Sequence, residues 1–271
     1  MPKERRSLHM VGSVRWHRTG HYTGFVGRAL KTEAVVLRSF RFGEADRVLH
    51  IYSLERGRIG AVAKGIRKTK SRFGARLEPL SHVELMLHEG RGELGTVTGV
   101  ELLHSHRAVR EEYYRLGVGL IGAEAMLRLF GEQESNPRAF EALTRFLDLL
   151  DELPSRAPAA ISLDPLGLSF QLKLIWLAGY LPHLGSCAEC GAAPPFAGYS
   201  ARAGGIVCVN CAPGSLALSA AGFAGLEGLL RRPLAESDAV GLTERAARDC
   251  LSVVTATYEE HGGFRLRTLS A

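Results

Sequence analysis

No apolar run in this 271-residue chain is long enough to cross a membrane as a helix. The nearest, residues 166–181, is interrupted by Gln171 and Lys173 and reads as a helix buried in a protein core. Residues 1–30 are basic but lack the continuous apolar stretch and the small-residue cleavage site of a secretory signal. A Walker P-loop, HExxH and GxSxG are all missing, as is any group of carboxylates spaced for two-metal chemistry. Residues 117–122 match GxGxxG, but they follow a helical pattern rather than a buried strand. They read as small residues that let two helices approach closely. Internal repeats are absent. These gaps remove the usual footholds of catalysis, and the expectation is a non-enzymatic, cytoplasmic binding protein.

Cysteine is also scarce, with five in the chain, and four of them fall in two pairs. Cys187-Ala188-Glu189-Cys190 and Cys208-Val209-Asn210-Cys211 are separated by seventeen residues, a spacing that sets two tight turns opposite each other. Four soft thiolates with no open coordination position suit one structural zinc ion better than a rubredoxin-like iron. Two disulfides are disfavoured because nothing places the chain in an oxidising compartment. A closed site leaves no position for a metal-bound water, so hydrolysis at this metal is not expected. Cys250 lies on the apolar face of a helical pattern and reads as a small core residue.

What the chain does have is positive charge, and it is unevenly placed. Residues 1–110 hold 21 Lys and Arg against 10 Asp and Glu, or +11; residues 111–271 hold 13 against 18, or −5; together these give the net +6. The first half is therefore expected to meet a polyanion. Within it, short strand patterns at residues 34–42, 48–54, 59–66, 83–87 and 94–103 are separated by turn chemistry. Five strands in so short a span suit a small Greek-key barrel such as the OB fold, although an SH3-like barrel leaves a similar pattern.

Residues 64–76 join the third and fourth strands and carry six cations in thirteen residues without an acid: Lys64, Arg67, Lys68, Lys70, Arg72 and Arg76. Arg56 and Arg58 stand at the preceding turn. On a fold whose loops commonly hold single strands, these eight are candidate phosphate contacts, and Phe73 is a candidate for stacking on a base. With one aromatic among so many cations, binding is expected to be electrostatic and largely blind to sequence. Near the end of this half, His104-Ser105-His106 offers two imidazoles with no acid or cysteine close in sequence, and reads as a strand end in solvent.

The second half is helical, with patterns at residues 110–130, 137–150, 166–181, 220–230 and 243–260, and with Asn136, Asp164 and Ser219 as N-caps. The cysteine module, residues 182–215, is inserted among these helices. The whole reads as α+β: a basic extension over residues 1–30, a five-stranded OB-fold barrel over 31–106 and an all-α domain over 107–271.

Three separated motifs in this order resemble the bacterial RecO recombination mediators. They are Glu33-Ala34-Val35-Val36-Leu37 with Gly43-Glu44-Ala45-Asp46-Arg47; the basic run closing in Leu77-Glu78-Pro79-Leu80; and Phe170-Gln171-Leu172-Lys173-Leu174-Ile175-Trp176-Leu177-Ala178-Gly179-Tyr180-Leu181-Pro182 ahead of Cys187-Ala188-Glu189-Cys190-Gly191. The resemblance covers residues 31–260. It implies a bacterial, nucleoid-associated DNA repair protein that binds single- and double-stranded DNA and anneals complementary strands. Its implied partners are RecR and the acidic C-terminal tail of the single-stranded DNA-binding protein, through which RecA is helped onto DNA. It also implies zinc on Cys187, Cys190, Cys208 and Cys211. Residues 1–30 precede the first family strand; an ordered extension, a DNA-binding arm and a translation start placed too early all fit them. The alternative from another class is a zinc-ribbon module that binds RNA or protein.

Overall fold

A computed structural model describes residues 28–89, 92, 94–154 and 160–269. The expectations for residues 1–27, including the cations at 3, 5, 6, 15 and 18, lie outside the described residues. Five strands, β1 (Arg28–Phe42), β2 (Asp46–Ser53), β3 (Gly57–Ala63), β4 (His82–Glu89) and β5 (Leu94–His104), close into a barrel in the order β1-β2-β3-β5-β4. All pairings are antiparallel except a short parallel contact between β3 and β5, which closes the five-stranded OB barrel. The first strand begins at Arg28, six residues before its sequence pattern at 34–42 and three before the expected start of the barrel domain at residue 31.

β1 explains how the barrel is joined to the rest of the chain. Its centre, Ala34-Val35-Val36-Leu37, is buried without the alternation of a half-exposed strand. The reason is two-sided burial. Ala34 and Val36 face the barrel core with Leu49, Ile51, Leu85 and Val97, whereas Val35 and Leu37 face the helices together with Tyr52. A bulge between Val36 and Arg38 then turns the outer end of the strand, and Arg38, Phe40 and Phe42 emerge exposed.

Six α-helices follow among the described residues: α1 (Arg107–Glu111), α2 (Tyr113–Leu129), α3 (Pro137–Glu152), α4 (Pro165–Leu177), α5 (Ala220–Arg231) and α6 (Glu244–Thr257). The single pattern read at residues 110–130 is two helices, because Glu112 takes an extended conformation at φ −109° and ψ 122°. α4 is the hub, apolar all round, with Leu166, Leu168, Phe170, Leu172, Leu174 and Ile175 buried. Its polar interruption has a structural cause: Lys173 Nζ donates to the carbonyls of Leu229, Leu230 and Arg232 at 3.3, 3.4 and 2.8 Å, satisfying the C-terminus of α5. α4 stops at Leu177 because Gly179, at φ 90°, turns the chain.

The glycines of α2 do permit close approach. A Cβ on Gly122 would stand 2.7 Å from Phe146 and 3.0 Å from Phe170, two rings that stack with centroids 4.1 Å apart. Asn136, Asp164 and Ser219 cap α3, α4 and α5, accepting from the backbone N–H of Ala139, Gly167 and Gly222. Each cap is worth about 1 kcal/mol. Between α4 and α5 the chain forms a small sheet of β6 (Phe196–Ser200), β7 (Gly205–Cys208) and β8 (Leu216–Ala217), ordered β7-β6-β8. No helix among the described residues is long and apolar enough to cross a membrane.

Candidate nucleic-acid interface and metal centre

After β3 the backbone turns at Gly65, whose N–H donates to Asp46 Oδ1 at 2.7 Å, and Arg67 N–H donates to the Ala45 carbonyl at 3.0 Å. These bonds tie the basic loop to the β1–β2 turn. Further on, Ile66, Phe73 and Leu77 insert into the barrel core, so the loop is pinned over one end of the barrel at three points. Before and between these anchors, Lys64, Arg67, Lys68, Lys70, Arg72 and Arg76 are all exposed to solvent. None of the six forms an ion pair with a carboxylate among the described residues; Arg67 and Arg76 donate instead to the backbone carbonyls of Glu44 and Arg72. Apolar anchoring thus fixes a surface whose charge stays available.

Three of the candidate residues fall elsewhere. Phe73 is 1% exposed and covered by the Arg72 guanidinium, 4.9 Å from its ring centroid. It is a core residue and has no face to offer a base, which corrects the stacking expectation. Arg58 donates to the Leu127 carbonyl at 2.8 Å and pairs with Glu132 at 3.3 Å, linking the barrel to the end of α2. Arg56 pairs with Glu89 at 3.5 Å. Neither guanidinium joins the cationic surface made by the loop.

Sequence reading overlooked the aromatics that are exposed. Phe40 and Phe42, 42% and 48% exposed, lie on one face of β1, and Phe42 directly precedes the β1–β2 turn that holds the basic loop. The signal was present in the alternation of Arg38, Phe40 and Phe42; the charge run drew attention away from it.

His104-Ser105-His106 also needs correction. His106 is fully buried, and both rings meet Asp148 of α3, which lies 42 residues beyond His106 in sequence. No local pattern announces that partner.

The four paired cysteines converge. One Sγ from each lies within 4.8 Å of all the others. Cys190 and Cys208 Sγ stand 3.8 Å apart, far beyond a disulfide and close to the edge of about 3.8 Å for a tetrahedron with 2.3 Å metal–sulfur bonds. The Cys208 N–H donates to Cys187 Sγ at 3.3 Å and helps pull that thiol down to about 6. Contacts with the Cys190 and Cys208 sulfurs, followed by burial, push Cys211 up to about 12. Four sulfurs this close cannot all ionise without a cation among them, and the donor set fits a closed thiolate site. Cys250, fully buried, is pushed up to about 12 by burial and is an inert core residue.

Comparison with known proteins agrees with this arrangement. Family models described as Recombination protein O N terminal and Recombination protein O C terminal match residues 28–106 and 110–270. The DNA repair protein RecO of Rubrobacter xylanophilus is 39% identical over 224 residues, covering 80% of this chain and 87% of that protein. That of Thermobifida fusca is 36% identical over 233 residues, covering 85% and 93%. That of Cutibacterium acnes is 38% identical over 187 residues, covering 68% and 74%. With a barrel and a helical half that both match, the chain belongs to the recombination protein O family.

Proposed function

We propose that this protein binds single- and double-stranded DNA largely without sequence preference, anneals complementary strands and, with RecR, helps RecA replace the single-stranded DNA-binding protein. The carrying observation is the solvent-facing row of Lys64, Arg67, Lys68, Lys70, Arg72 and Arg76, pinned to the barrel from beneath and, among the described residues, unpaired with acids. Such a row attracts phosphates by charge and counterion release, which is indifferent to the bases. Phe42, beside the loop, supplies the stacking face that Phe73 lacks. A surface that grips backbone without reading sequence can hold two strands while they search for register. No bond is made or broken, so no catalytic residue is needed.

Cys187, Cys190, Cys208 and Cys211 hold one zinc ion, which supplies four coordination bonds to a hairpin with little core of its own. The helical half, poor in net positive charge, is the side that receives protein partners, including RecR and the acidic tail of the single-stranded DNA-binding protein. The working compartment is the bacterial cytoplasm, at the nucleoid.

The test is annealing of complementary oligonucleotides coated with the single-stranded DNA-binding protein, with and without its tail. Acceleration is expected in the presence of the tail; no acceleration in either case overturns the reading. Stronger binding to RNA than to DNA of equal length favours an RNA-binding module instead.

A further inference from the structure

At the junction of barrel and helices, His106 places its two ring nitrogens against two groups that only accept hydrogen bonds. Nδ1 lies 2.7 Å from the Leu80 carbonyl, and Nε2 lies 3.0 Å from Asp148 Oδ1. A neutral imidazole carries one N–H. The carbonyl takes that proton at Nδ1, so Nε2 faces a carboxylate with a bare lone pair unless a second proton or a metal ion stands there. The same Asp148 oxygen is approached by Nδ1 of His104 at 2.9 Å, and the two rings are 4.3 Å apart at 69°. His106 is fully buried and held at φ 43°, a conformation unusual outside glycine. The surroundings therefore fix this ring in place rather than letting it turn away.

We propose that His104, His106 and Asp148 form a second metal site, for one divalent cation of the zinc class, distinct from the four-cysteine centre. One donor atom from each of the three residues lies within 4.8 Å of the others. Donors of a tetrahedral zinc site with bonds of about 2.0–2.1 Å stand about 3.3 Å apart; Asp148 Oδ1 lies 2.9 Å from His104 Nδ1 and 3.0 Å from His106 Nε2. The Nδ1–H of His106 on a backbone carbonyl is the outer contact that orients most metal-bound histidines. Two nitrogens and one carboxylate oxygen leave a fourth position for water. The site joins the end of β5 and the start of α1 to α3, so its metal clamps the barrel onto the helical domain.

The experiment is zinc per chain, measured by plasma mass spectrometry on the full-length protein after equilibration with excess Zn²⁺ and gel filtration. The variants are His104→Gln and Asp148→Asn, since His104 is half exposed and neither change opens a cavity; thermal unfolding checks that both remain folded. Each variant is expected to hold one zinc fewer than the unmodified chain, and added Zn²⁺ is expected to raise the melting temperature of the unmodified chain more than that of either variant. Equal zinc content in all three proteins, with equal thermal responses, overturns the proposal and leaves the contact between His106 and Asp148 a structural one.

Discussion

The basic loop of the barrel and the helical half of the molecule treat arginine differently. In the helical half, guanidinium groups are taken up by nearby acids: Arg107 with Glu111, Arg231 with Glu227, Arg245 with Asp249, Arg248 with Glu244 and Arg265 with Glu259. Apart from buried Asp249, these partners lie near the surface, where ion pairs add little to stability, and the pairing leaves little field behind. In the barrel loop, six cations lie within thirteen residues and none forms an ion pair with a carboxylate among the described residues. The contrast teaches that net charge alone does not make a polyanion surface; the cations must also be left unpaired, and among the described residues that condition holds in the loop of residues 64–76, while Arg47, Arg56 and Arg58 elsewhere on the barrel are paired.

The largest effect that can separate the halves is removal of the zinc proposed for the four-cysteine centre. The cysteine module buries few apolar groups of its own, Cys187, Val207 and Cys208, whereas thiolate sites in zinc-finger peptides bind with about 10–16 kcal/mol. Chelation is expected to abolish amide-exchange protection across β6 and β7 while the affinity for single-stranded DNA stays the same. Loss of DNA affinity in parallel would join what the comparison keeps apart.

Phe73 and Phe42 form a second pair of opposites. Phe73→Ala removes a core ring and is expected to destabilise the protein by about 3–5 kcal/mol in denaturant unfolding. Phe42→Ala is expected to leave stability within about 0.5 kcal/mol. It should instead weaken single-strand binding by about 1–3 kcal/mol.

Reversal of Lys68, Lys70 and Arg72 to Glu removes three phosphate contacts, or about 2 from the magnitude of the salt slope at about 0.7 per contact, which is about a hundredfold in affinity at about 0.1 M salt. The same reversal at Arg231, Arg245 and Arg248 is expected to change DNA binding little. A matching loss there would show that pairing with acids does not silence a cation on this protein.

A further effect concerns Arg58. Its removal leaves the Leu127 carbonyl without its donor, and Arg58→Ala is expected to lower stability by about 1–3 kcal/mol with the salt slope unchanged.

Much of this was legible in the sequence, and the limits have physical causes. The cysteine spacing, the N-caps and the helices carry local signals, and they appear where those signals lie. β1 was harder, because its centre is buried on both faces and a bulge shifts its phase, so alternation fails over Val35, Val36 and Leu37. Phe73 misled because a ring inside a charged run looks exposed, while its burial depends on the barrel end beneath it. Arg58 and His106 owe their roles to Leu127, Glu132 and Asp148, residues that no sequence pattern links to them.

The most direct test is the dependence of single-stranded DNA affinity on monovalent salt, measured by fluorescence anisotropy with a mixed-sequence oligonucleotide. Six phosphate contacts at about 0.7 each predict a slope of log K against log salt of about −4. A slope near zero, or one that the Lys68, Lys70 and Arg72 reversal leaves unchanged, would contradict the account.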